Sequence, residues 1–255
     1  MDERHYIPLT CAQCAEAEGL DFDFTFAFQP ILDLDAGRIV AHEALVRGLA
    51  GESAGEILGR VTDANRYRFD QACRVKAVQT AVALGLDCDL NINFYPNAVY
   101  RPELCIRTTL QAAETYGFPA ERIVFEVTEA ERIEDTQHLV DIVQCYRKLG
   151  FRTAIDDFGA GYAGLNLLAE YQPDYIKLDR QLIAGIDARP AKQAITRGIV
   201  QVCRDLGIGI LAEGVETAEE FAWLRDAGIR LFQGYYFARP ALGALPEVPA
   251  ERWQA

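Results

Sequence analysis

Four carboxylate clusters each close an apolar run: Glu43 in RIVAHEALVRG, Glu126 in RIVFEVTE, Asp156 and Asp157 in FRTAIDDFGAG, and Glu213 in GIGILAEGVE. A buried strand gains nothing by ending on a charge, because an unpaired carboxylate taken out of water is costly or gives up its ionisation. Repetition of the pattern points to a shared pocket where cations gather the carboxylates. The chain has only three histidines, and only His42 lies near a cluster. Oxygen donors without histidine favour a hard divalent cation, Mg²⁺ or Mn²⁺, over zinc. Strand alternation puts His42 on the face opposite Glu43, where it would pack rather than ligate. Adjacent Asp156 and Asp157 suit a two-cation centre, one carboxylate bridging and the other holding the second ion. Two such ions about 3.5–4 Å apart activate a water and stabilise the leaving oxygen of a phosphoester. Lys177, behind an apolar Tyr-Ile pair, is placed to hold that water or to offset phosphate charge. Each cluster alone also reads as a surface helix cap; together they read as one site.

Such residues need elements that bring them together. Apolar runs rich in Ile, Val and Phe mark eight strands, at residues 26–32, 39–46, 88–94, 122–127, 152–156, 175–178, 208–212 and 230–233. Helical patterns lie between them at 70–84, 103–116, 135–149, 191–206 and 218–227, with Gly85, Gly117, Gly150, Gly207 and Gly228 at or just past their ends. Strands and helices in alternation read as an α/β fold, a TIM-like (β/α)₈ barrel, whose strand C-termini face one mouth. That mouth would collect Glu43, Asn93, Glu126, Asp156, Asp157, Lys177, Glu213 and Gln233. The turn DLDAGR between the first two strands is too short for a helical crossover, so one strand near the start must be antiparallel. The expected organisation is an N-terminal extension over 1–22, the barrel over 23–245, and a tail over 246–255, with a loop-like chain after Pro240.

The 255 residues suit one large domain with a substantial core, half of them being hydrophobic and a quarter charged. A net charge of −13 argues against DNA, RNA or anionic membranes as partners. It leaves a phosphate substrate open, because bound cations reverse the local sign. No secretory signal and no apolar run of membrane-spanning length is present. Seven scattered cysteines suit reduced thiols in the cytoplasm. Cys11 and Cys14 form one isolated CxxC, which reads as an inert pair rather than a zinc or redox site. Gly159 and Gly161 mark a loop after the diaspartate, serving as a lid or metal gate or simply as a tight turn. Glu129, three residues past Glu126, either hydrogen-bonds that loop or caps the next segment.

The words HEALVRG, INFYPN, FEVTE, IDDFGAGY, IKLD, AEGVET and QGYYFARP, in that order from about Phe28 to Pro240, resemble the successive signatures of the EAL family of cyclic di-GMP phosphodiesterases. The resemblance implies hydrolysis of cyclic di-GMP to linear pGpG by attack of a metal-activated water, with two divalent cations, Mg²⁺ or Mn²⁺. It implies that Glu43, Asn93, Glu126 and Asp156 bind one cation and that Asp156, Asp157 and Glu213 hold the second. Lys177 would orient the nucleophilic water. Arg47 would contact a substrate phosphate, Gln29, Glu216, Gln233 and Tyr235 would line the substrate cleft, and Glu129 would steady the diaspartate loop. Asn91 shares a strand face with Asn93, which lies nearer the strand end and aligns better. Ala160 and Ala163 stand where the family often has Thr and Ser. The resemblance also implies a homodimer, and a regulatory protein partner is compatible with it. A non-catalytic cyclic di-GMP receptor is the alternative from another class. A lyase or aldolase using Lys177 as a Schiff base would leave the diaspartate unexplained.

Overall fold

The DLDAGR turn does what its length requires: β1 (Thr25–Asp33) and β2 (Arg38–Arg47) form an antiparallel pair in which Gln29 stands opposite Glu43. The structure, a computed structural model, describes residues 19–128, 136–160 and 164–253. From β2 onward every neighbouring pair is parallel, through β3 (Asp89–Asn93), β4 (Ile123–Thr128), β5 (Arg152–Phe158), β6 (Tyr175–Leu178), β7 (Gly209–Ala212) and β8 (Leu231–Phe232). β8 then meets the far edge of β1 antiparallel, with Leu32 opposite Phe232, which closes an eight-stranded barrel. The expected barrel with one reversed strand is the fold of the protein. After Pro240 the chain is less loop-like than expected: β9 (Ala241–Leu242) pairs with β1 beside Ala27 and Phe28.

Among the described residues the helices are α1 (Ala54–Leu58), α2 (Arg66–Ala83), α3 (Pro102–Tyr116), α4 (Thr136–Lys148), α5 (Gly164–Glu170), α6 (Arg180–Ile183), α7 (Pro190–Leu206) and α8 (Ala218–Asp226). Each of the five helical patterns in the sequence corresponds to one of them. The AEGVET word sits at a helix start for a local reason. Thr217 accepts from the Glu220 backbone, and the Glu220 carboxylate accepts from the Thr217 backbone, a reciprocal cap that begins α8.

Period-two alternation divides the strands into two environments. Outward residues such as Phe28, Leu90, Phe125, Ile176 and Phe232 meet the helices in the main apolar core. Inward residues fill the barrel, with Ile31, Ala41 and Leu211 forming a small apolar layer low in the interior. The next inward layer is polar and carries Gln29, Glu43, Asn91, Glu126 and Lys177, all buried. Such side chains tolerate burial only when paired to one another.

A second buried polar group supports the loop after β3 from outside. Arg74 of α2 is fully buried; its Nη2 lies 2.8 Å from Asp70 Oδ2 and its Nη1 donates to the Tyr146 hydroxyl at 2.8 Å. The guanidinium also lies about 5 Å from the ring centres of Phe94 and Phe125. Asp70 Oδ1 accepts the Tyr95 backbone N–H at 3.1 Å, two residues past Asn93. Truncating one member of such a pair strands the other charge, at a cost of about 3–5 kcal/mol. Arg74→Met is therefore expected to lower the stability from urea unfolding by about 3–5 kcal/mol. A loss below about 1 kcal/mol would show that Asp70 is not held by Arg74.

Candidate active site

The polar layer converges on one ammonium. Lys177 Nζ, from β6, lies 3.1 Å from Glu43 Oε2, 2.9 Å from Glu126 Oε2, 3.0 Å from Asp156 Oδ1 and 3.2 Å from Glu213 Oε2. These four acids come from β2, β4 and β5 and from the residue just past β7. Burial alone would depress the lysine, but Asp156, Glu126, Glu213 and Glu43 raise it well above the usual lysine range. An amine ion-paired to four carboxylates is a poor nucleophile, which argues against the Schiff-base reading.

Amide side chains set the acids in place. Asn93 Nδ2 donates to Glu43 Oε1 at 2.9 Å, and Gln233 Nε2 donates to Glu43 Oε2 at 2.8 Å. Gln233 also reaches Gln29 Oε1 at 3.2 Å, and Gln29 donates to the Ala238 carbonyl. Gln233 is positioned by a tight crossing of the chain. A Cβ on Gly234, whose φ is 156°, would lie 2.1 Å from the Val215 carbonyl oxygen, so only glycine fits.

Asp157 is where simple alternation fails. A regular strand would turn it away from Asp156, toward the helices. Instead the register of β5 against β6 slips between Ile155 and Phe158, and Asp157 takes a left-handed φ of 54°. The bulge swings its carboxylate back toward the mouth. Ligand oxygens of Asp156, Asp157 and Glu213 consequently lie within 4.8 Å of one another, as do those of Glu43, Glu126 and Asp156. The two triads share Asp156. Both offer oxygen only, which fits hard divalent cations.

The charge balance agrees with the donor set. One ammonium cannot neutralise five carboxylates. Burial pushes Glu126 well above the carboxylate range, with Glu43 and Asp156 adding to it against Lys177. Burial and the neighbouring Asp156 and Glu43 do the same to Glu213, again against Lys177. A cavity of about 290 Å³ reaches Glu43, Asn93, Asp156 and Glu213 and extends toward Leu58, Phe69 and Cys73.

The remaining expected residues that are described have partners outside this cluster. Arg47 ends β2, about 13 Å along the strand from Glu43, and donates to the Val46 carbonyl at 2.7 Å. Glu216 is ion-paired to Arg180 at 2.6 Å. Tyr235 is half exposed, with the Arg239 guanidinium 4.3 Å from its ring centre. His42 faces away from Glu43 as expected, its Nδ1 3.4 Å from Cys88 Sγ, and burial lowers it to about 4. Gly159 is left-handed, with Leu182 packed where a side chain would go. Glu129, Gly161, Ala163, Cys11 and Cys14 lie outside the described residues. The sequence reading missed Tyr175 and Asp70. The signal for Tyr175 was its place two residues before Lys177 on the same strand face; an Asp four residues before an Arg gave no such signal.

The EAL domain matches residues 19–240. This chain belongs to the EAL domain family. Among solved structures it is similar to a standalone versatile EAL protein from Vibrio cholerae O395 in its c-di-GMP bound form. The two are 55% identical with a TM-score of 0.90, over 93% of this chain and all of that one. It is also similar to Klebsiella pneumoniae BlrP1 in a manganese/cy-diGMP complex, 38% identical with a TM-score of 0.83, over 91% of this chain and 60% of BlrP1. Among curated proteins, the blue light- and temperature-regulated antirepressor BluF of Escherichia coli (strain K12) is 35% identical over 88% of this chain and 56% of BluF. The cyclic di-GMP phosphodiesterase PdeR of the same organism is 38% identical over 56% of this chain and 21% of PdeR. The chain thus spans about half or less of these curated relatives. No described helix is long and apolar enough to cross a membrane.

The raised carboxyls set a pH dependence. Burial, followed by the charges of Asp156 and Asp179, pushes Asp157 up to about 6, against about 3.9 in an unfolded chain. A folded value above the unfolded one means that the native state binds the extra proton. That stabilisation is complete below about pH 4 and is lost as pH rises through about 6; Glu126 and Glu213 act in the same direction, while His42, lowered to about 4, opposes them below its unfolded value of about 6.5. In chelator, the chain is expected to melt at a higher temperature at about pH 5.5 than at about pH 7.5. Asp157→Asn should shrink the difference. An undiminished slope in that variant would assign the effect to other groups.

Proposed function

We propose that this EAL domain hydrolyses cyclic di-GMP to linear pGpG and so lowers the level of that messenger. The observation that carries the reading is the pair of oxygen triads sharing Asp156 beside Lys177, at the mouth of a barrel of the EAL family. Glu43, Asn93, Glu126 and Asp156 would hold one divalent cation, Mg²⁺ or Mn²⁺, and Asp156, Asp157 and Glu213 the other. When bound, such a pair lowers the pKa of water and stabilises the leaving oxygen of a phosphodiester.

The chain's own groups handle position and protons. The Lys177 ammonium, shared among four carboxylates, would turn one of its three donors to fix the water that attacks phosphorus in line with the departing ribose oxygen. One P–O bond is replaced by the water's oxygen, and a proton passes to the ribose oxygen. Glu213, more open than Glu43 or Glu126, would take part in that transfer. Arg47 would fork onto a phosphate, and Gln29, Glu216, Gln233 and Tyr235 would border the nucleotide. Glu129 would steady the diaspartate loop. Among the described residues five cysteines are free thiols, which suits a reducing cytoplasm.

A receptor that binds without turnover is the competing reading, and the similarity to a protein named an antirepressor gives it weight. A turnover assay separates the two. Purified chain with cyclic di-GMP and Mg²⁺ or Mn²⁺ should yield pGpG by HPLC, with none after chelation. Lys177→Ala should slow turnover by roughly 10²–10⁴-fold. Tight binding with no pGpG across a metal series would establish the receptor instead. A Lys177→Ala chain at wild-type rate would remove the role given to the ammonium.

A further inference from the structure

Asn91 and Tyr175 lie two residues before Asn93 and Lys177 on the same faces of β3 and β6, and they take no part in the reaction described above. Asn91 stands in register with Glu43 across β2 and β3, is wholly buried, and points into the barrel. Its Nδ2 donates to Glu126 Oε1 at 2.5 Å and also meets the Tyr175 hydroxyl. Tyr175 and Asn91 line a cavity of about 340 Å³ at the opposite mouth of the barrel, together with Asp89, Arg122 and Arg152. The other oxygen of Glu126, Oε2, is the one 2.9 Å from Lys177 Nζ.

The two oxygens of Glu126 are therefore committed in opposite directions, one toward the barrel floor and one toward the mouth. For both to face a cation, the carboxylate would have to rotate and abandon Asn91. We propose that Asn91, braced by the Tyr175 hydroxyl, is a positioning residue that restricts Glu126 to one-oxygen ligation and thereby favours small cations. This rests on the metal reading given under the proposed function. The size argument is chemical. Mg²⁺-sized ions take single oxygens in a near-octahedral shell, whereas Ca²⁺ readily accepts both oxygens of one carboxylate. An amide suits the task because it orients the carboxylate without neutralising it.

Calorimetric titration of the substrate-free chain with Mn²⁺ and, separately, with Ca²⁺ tests this. Asn91→Leu should weaken Mn²⁺ binding by roughly 10–100-fold, the range for losing a partner that orients a metal ligand. Ca²⁺ binding should fall by less, so that the preference between the two ions narrows. Tyr175→Phe, which keeps the ring, should move both affinities in the same sense, with a loss for Mn²⁺ of about 2- to 10-fold. Unchanged Mn²⁺ affinity in Asn91→Leu, or an equal loss for both ions, would overturn the proposal, since a merely structural residue does not alter the ratio. Should Asn91→Leu not fold, a wild-type ratio in Tyr175→Phe would overturn it alone. A wild-type chain binding neither ion would remove the metal reading and this inference with it. A wild-type chain that binds Mn²⁺ beside variants that bind it equally well would remove only this inference.

Discussion

A single buried ammonium surrounded by acids is the constraint on which the mouth of this barrel depends. Lys177 is fully enclosed, and its four carboxylate partners come from three strands and the residue just past a fourth. Without that positive charge, β2, β4, β5 and the residue after β7 would carry like charges a few ångströms apart in a low-dielectric interior, where repulsion is strong. With it, they are drawn together but remain under-compensated, as the raised Glu126, Glu213 and Asp157 show. The lysine organises the site without saturating it. The remaining negative charge is what divalent cations would relieve, so any cation affinity here is also folding stability.

The period-two alternation of the strands made most of the fold legible in the sequence. Strands that alternate between an aromatic core and a polar lumen must put inward residues two apart, and Asn91 and Asn93 or Tyr175 and Lys177 do so. The reversal of β1 was legible from the six-residue turn alone, because no helical crossover fits in that length. The acids at the strand ends were legible because charge is out of place there.

What the sequence hid is equally physical. Alternation sends Asp157 outward, and only the bulge in β5 and a left-handed φ return it to the mouth. Adjacent aspartates suggested a shared centre, yet nothing local to them announces the slipped register that makes it possible. The Asp70–Arg74 pair has the i,i+4 spacing of a solvated helix surface, and its burial depends on Phe94, Phe125 and Tyr146 closing over it from distant segments. β9 is two residues long and exists only because the edge of β1 is free beside Ala27 and Phe28.

The reversed strand also explains how the acids keep their orientation without losing their charge. Because β1 runs against β2, Gln29 falls at the height of Glu43, and Gln233, just past β8, can touch both. Glu43 thus receives Asn93 on one oxygen and Gln233 with Lys177 on the other. Glu126 receives Asn91 and Lys177 in the same divided way. Arginine in any of these places would bind more strongly, but it would cancel the field that gathers cations. Amide donors fix direction at little electrostatic cost, as Asn93 does when its nitrogen holds Glu43. A site that must be rigid and remain strongly negative is therefore built from amides around one cation, which is the composition found here.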